Sequence, residues 1–290
     1  MSLLEALVLG IVQGLTEFLP ISSNAHLRVV PEFLDWPEPG AAFTAVIQLG
    51  TLAAVLWYFR ADVARLFAAF VGDMRVMRYG TTRDAELAWM IAGGTVPVVI
   101  GGLLFKKQIE GELRRLDVIA WAAIGFGLLL ALAEILAARR RNHGDPGRGG
   151  AQIGWRDALL VGLFQALALI PGASRSGVTI TAGLLAGLSR PTAARFSFLL
   201  SLPAVFAAGV YELYKERHEL LASQEHVLNL VVASVVAGIV GYWSIAFLLN
   251  FLKRYSTAVF IVYRIILGGV ILALLAQGTL TPYPAQQMAR

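Results

Sequence analysis

The chain is 290 residues long, 57% of them apolar and only 15% charged, with a net charge of +5 and no cysteine. A soluble domain carries about 25% charged residues, so a water-exposed globular enzyme is excluded, as are disulfide and thiolate chemistry. The positive balance reads as the basic loops of a membrane protein, with no nucleic acid as partner.

The first apolar stretch, 3–19, carries Glu5, Gln13 and Glu17 and stops at Pro20; Ser22-Ser23-Asn24 and His26 follow. With no basic segment before it and no small-residue cleavage site after it, this start is not expected to be a removable signal peptide. Runs at 41–59, 87–105 and 118–138, and again at 196–214, 227–252 and 255–277, come close to or exceed the roughly 20 residues that a helix needs to cross a bilayer. Between the two sets lies 139–156, rich in Arg and Gly, which reads as a solvated linker. After it come two segments too short to span, 158–170 and 178–188, flanking Pro171-Gly172-Ala173-Ser174-Arg175-Ser176-Gly177. Short apolar segments broken by polar loops are re-entrant rather than spanning, and such backbone survives at membrane depth only inside protein or against a wet cavity. The expected fold is an all-α polytopic membrane protein: about six transmembrane helices plus two re-entrant helical hairpins, one integral membrane domain over 1–290.

The halves 1–138 and 157–277 share a weak repeat. Ala6, Gly10 and Gln13 match Ala158, Gly162 and Gln165, and after a one-residue gap Pro20 meets Pro171 and Ser23 meets Ser174. Three spans per half make the repeat inverted, which places a site at the repeat interface near the midplane. Basic residues are in excess in 60–86, 139–157 and Lys253-Arg254, over those on the other side at Arg28, Lys106, Lys107, Arg114, Arg115, Lys215, Arg217 and Arg290. The first set is therefore expected in the cytoplasm, with both termini outside.

Charges retained at membrane depth are functional candidates. Gln13 and Glu17 are four residues apart, on one helix face, just ahead of Ser22, Ser23 and His26. In the second loop Gly172 lets backbone approach a ligand, Ser174, Ser176 and Thr179 offer hydroxyls, and Arg175 offers a planar fork that suits phosphate oxygens. The loop opens a helix, whose free N–H groups favour an anion. Among the four histidines none has metal-ligand spacing, so a histidine-built zinc site is not expected. His26 suits acid/base or nucleophilic work. Arg264 and Gln48, each inside an apolar run, are secondary candidates.

The pattern Gln13-x-x-x-Glu17, Ser22-Ser23-x-x-His26 and Pro171-Gly172-x-Ser174-Arg175-Ser176-x-x-Thr179 resembles the undecaprenyl-diphosphate phosphatase family, the bacitracin-resistance BacA/UppP family, over essentially the whole chain. The chain departs from it at Asn24-Ala25, where family members often have Thr-Gly; if that Gly has a positive φ, Ala25 is strained. The resemblance implies hydrolysis of undecaprenyl diphosphate to undecaprenyl phosphate and inorganic phosphate, recycling the lipid carrier for peptidoglycan synthesis. It also implies a multi-pass bacterial inner-membrane protein in contact with membrane lipids, a divalent metal (Mg²⁺ or Ca²⁺) and a site open to the outer face; a homo-oligomer is compatible with it.

Under that expectation Arg175, Ser22, Ser174, Ser176 and Thr179 bind phosphate, and Glu17 with Gln13 holds the metal. The attacking group is Ser23, His26 or a water. A lipid transporter is the competing reading, because inverted repeats with broken helices are transporter architecture. An intramembrane serine protease lacks its G-x-S-x-G setting here and leaves Arg175 without a role.

Overall fold

A computed structural model describes residues 1–283; Arg290, counted above among the outer-side charges, lies outside the described residues. The first hairpin is α1 (Leu3–Thr16) and α2 (Ser23–Phe33). α1 opens on a reciprocal cap: Ser2 Oγ accepts from the Glu5 amide and Glu5 accepts from that of Ser2, at 3.3 and 3.1 Å, so two of the helix's orphan donors are satisfied. Then follow α3 (Gly40–Tyr58), α4 (Arg60–Arg75), α5 (Arg83–Leu104), the short α6 (Lys106–Glu110) and α7 (Leu116–Asn142). The second hairpin is α8 (Trp155–Leu167) and α9 (Arg175–Leu185), followed by α10 (Arg190–Lys215), the short α11 (Arg217–Leu220), α12 (Gln224–Arg254) and α13 (Ala258–Ala276).

α3, α5, α7, α10, α12 and α13 are long and apolar enough to cross a bilayer, and their outward faces carry exposed Leu103, Trp121, Ile239, Trp243 and Phe247. A surface this apolar is stable only against lipid, and the chain is a multi-pass all-α membrane protein. Its protein core is built around Phe18, Phe59, Phe196 and Phe198, with the Phe18 and Phe198 rings edge-on at 5.3 Å.

The halves are interleaved. α1 packs on α12 and α8 on α5; α3 packs on α12 and α10 on α5; α3 meets α10 and α7 meets α13. Exchanging each element of one half for its counterpart in the other returns the same pairings. Each hairpin loop thereby meets the opposite half: Phe18 packs on Phe198, and Gly172 lies against Ile119.

Three stretches differ from the sequence reading. The segment 60–86 contains α4, whose Asp73 accepts bonds from the Thr81 hydroxyl, the Gly80 amide and the Trp89 indole. α7 continues through Arg139, Arg140 and Arg141 to Asn142, so helix occupies the start of the stretch read as linker. The remainder is pinned rather than loose. Arg148 forks onto Asp157 at 2.8 and 2.6 Å, its backbone pairs with Gly187 and Ser189, and Arg140 reaches the Leu184 carbonyl. A residue-level reading of Gly and Arg as solvated missed that both guanidinium groups cap the open carbonyls at the end of α9.

Candidate active site

Both loops turn on a serine with a left-handed backbone. Ser22 has φ 73° and caps α2; Ser174 has φ 65° and caps α9, its Oγ accepting from the Gly177 amide at 3.2 Å. A non-glycine residue in this region is strained, and here the strain recurs at the same place in both hairpins. The cap equivalence pairs Ser22 with Ser174, one residue away from the Ser23/Ser174 match in the sequence. It also makes Ser23 and Arg175 counterparts, each the first residue of its helix. Ala25 lies inside α2 without positive φ, so the strain expected there is carried by Ser22 instead.

Glu17, at the C-terminus of α1, is the hub. Its Oε2 accepts from Gln13 Nε2 at 3.0 Å and from Ser23 Oγ at 2.6 Å; its Oε1 accepts from Arg175 Nη2 at 2.7 Å. Residues 158 apart in sequence thus form a part-buried ion pair across the two loops. Ser176 Oγ adds a second tie between them, donating to the Leu19 carbonyl at 3.0 Å. Thr179, a turn into α9, donates to the Arg175 carbonyl and pairs with Ser197, so its hydroxyl braces the base of the loop.

Arg264 is fully buried on α13, and its Nη2 donates to the Gly172 and Ala173 carbonyls at 3.0 and 2.9 Å. Two glycines admit the close packing around this loop. At Gly172, with φ +92°, a Cβ would stand 2.3 Å from the Ile119 carbonyl oxygen; at Gly177 it would stand 2.7 Å from Arg264 Nη1. Three guanidinium nitrogens, Arg175 Nη1 and Arg264 Nε and Nη1, are buried without a partner, as is Gln13 Oε1. Buried donors of that strength without acceptors are costly, and the oxygens of an anion would satisfy them.

His26 Nδ1 lies 2.7 Å from the Ser22 carbonyl and Nε2 lies 2.6 Å from the Tyr263 hydroxyl. Its nitrogens bond neither Ser23 nor Glu17, so no Ser–His pair is formed. Gln48, half-buried in α3, is not joined to the cluster by a hydrogen bond. Tyr263 escaped the sequence reading because a tyrosine in an apolar run carries no signal of its own; its one clue was the adjacent Arg264.

No group of three or more His, Asp or Glu able to hold a metal exists among the described residues. The donors present are one carboxylate and the orphaned Gln13 Oε1. That set fits a Mg²⁺-like ion completed by substrate oxygens and water, since such ions are commonly held by one or two carboxylates plus phosphates.

Residues 6–270 match the family model described as bacitracin resistance protein BacA. The chain is 59% identical over 280 residues to a protein named undecaprenyl-diphosphatase from Chlorobium phaeobacteroides, covering 97% of this chain and 99% of the relative. It is also 59% identical to one of the same name from Prosthecochloris aestuarii, over 96% and 99% of the two chains, and 56% identical to one from Chlorobium chlorochromatii, over 97% and 100%.

Proposed function

The chain belongs to the bacitracin resistance protein BacA family, and from that premise we propose that it hydrolyses undecaprenyl diphosphate to undecaprenyl phosphate and inorganic phosphate. This recycles the lipid carrier for cell-wall synthesis and confers bacitracin resistance. The observation that carries the reading at the site is the Glu17–Arg175 pair across the two loops, whose Arg175 Nη1 is buried without a partner.

The terminal phosphate is bound by Arg175 Nη1, Arg264 Nε and Nη1, and the caps at Ser22 and Ser174, while Ser176 and Thr179 hold the loop in shape. Of the three candidates for attack, Ser23 is best supported, because its hydroxyl proton already points at Glu17 Oε2. Glu17 takes that proton, Ser23 Oγ bonds to the terminal phosphorus, and the bridging P–O bond breaks with its electron pair leaving on undecaprenyl phosphate. Water then releases phosphate from Ser23, whose proton returns from Glu17. Glu17 and Gln13 would hold the divalent ion, which supplies charge neutralisation at the transferring phosphoryl group.

The enzyme sits in the plasma membrane of a bacterium with 60–86 and 139–157 in the cytoplasm and the site opening outward, an orientation supported by the loop charges. The test is phosphate release from undecaprenyl diphosphate by detergent-purified protein, with and without chelator. Release that chelator abolishes and Mg²⁺ or Ca²⁺ restores is expected; absence of release from folded protein supplied with either ion would overturn the assignment. Phosphate trapped on Ser23 survives acid, whereas a phosphohistidine at His26 survives only alkali, so the quench pH separates the two.

A further inference from the structure

Tyr263 and Arg264 are neighbours in α13, yet they engage opposite loops. Arg264 holds the second loop through the Gly172 and Ala173 carbonyls, and Tyr263 reaches the first through His26. The His26 and Tyr263 rings are nearly parallel, 8° apart in plane with centroids at 5.6 Å. A neutral imidazole has one donor nitrogen and one acceptor nitrogen. Because Nδ1 faces the Ser22 carbonyl, which only accepts, the proton of neutral His26 resides on Nδ1 and the lone pair on Nε2. The Tyr263 hydroxyl donates to that lone pair. Without it, Nε2 loses its partner, and the ring is held by the Ser22 carbonyl and the stack alone.

We infer that Tyr263 is a positioning residue for His26: with the Ser22 carbonyl setting the tautomer, the Tyr263 hydroxyl holds the ring in place, so that Nε2 is the nitrogen through which His26 exchanges protons during phosphate hydrolysis. The inference rests on the acid/base work that His26 suits, here in the step where water releases phosphate from Ser23, and adds the group that orients it.

Tyr263→Phe keeps the ring stack and removes only the hydroxyl. General acid–base groups contribute about 100- to 10,000-fold, and misorienting one should lower kcat by roughly tenfold or more, with KM for undecaprenyl diphosphate within about twofold of wild type. Adding Tyr263→Phe to His26→Ala should cause no further loss, and the ¹⁵N signal of His26 Nε2 should shift in Tyr263→Phe. Wild-type kcat in Tyr263→Phe alongside an impaired His26→Ala would overturn the Tyr263 assignment alone. An equal further loss in the double variant would likewise overturn action through His26. Wild-type turnover of His26→Ala would overturn the acid/base reading beneath it.

Discussion

Arg175 joins two tasks in one side chain: its Nη2 neutralises Glu17 and its Nη1 is free for a ligand. Arg175→Ala should reduce phosphate release by about 100- to 1,000-fold, the scale for removing a donor aimed at developing charge. Arg175→Lys should recover only a small part of it, because an ammonium cannot serve both directions as a fork does. Gly177→Ala tests the Arg264 placement, since the added methyl would displace Nη1. Misplacement by about 1 Å costs up to roughly 100-fold, so kcat/KM should fall while the protein stays folded; wild-type kinetics would contradict the packing. At this scale the sequence marked Glu17, Arg175 and Ser23 as exceptional because charge and hydroxyls at membrane depth stand out. It could not show that Glu17 and Arg175 bond each other, since contact across 158 positions depends on how the halves interleave.

The elements themselves were legible where composition alone decides. Spans predicted at 41–59 and 118–138 appear as Gly40–Tyr58 and Leu116–Asn142, and the short segment at 158–170 as Trp155–Leu167. What composition hid was helix or order secured by polar contacts. α4 and its Asp73 hub are an example: the Thr81 hydroxyl, then the Gly80 amide and the Trp89 indole, hold the Asp73 carboxyl below its ordinary value. With the folded pKa below the unfolded one near about 3.9, the unfolded chain binds the extra proton. The stabilisation is therefore complete above about pH 4 and lost as pH falls through the depressed value. Asp73→Asn should melt lower at neutral pH and show a shallower loss of melting temperature below about pH 4 than wild type; identical slopes would remove Asp73 from the account. The Arg148 fork is the second case. Arg148→Ala removes the guanidinium from Asp157 and from the Ala186 carbonyl and should cost roughly 1–3 kcal/mol in detergent melting, with activity per folded molecule little changed.

On the scale of the whole molecule, interleaved halves bring the acid of one hairpin and the arginine of the other into contact, with Arg264 holding the second loop. The absence of cysteine makes the proposed orientation directly measurable. Met77→Cys, on an almost fully exposed side chain beyond α4, should react with a membrane-impermeant thiol reagent only after the cells are opened. Glu112→Cys, on the opposite side, should react in intact cells; the reverse pattern would invert the topology. The central claim is that Glu17 and Arg175 together form the hydrolytic site, and phosphate release from undecaprenyl diphosphate by purified wild type, Glu17→Gln and Arg175→Ala tests it most directly. The account predicts release by the wild type and at least about 100-fold less from each variant at matched folded concentration. Near-wild-type release from either one would contradict it.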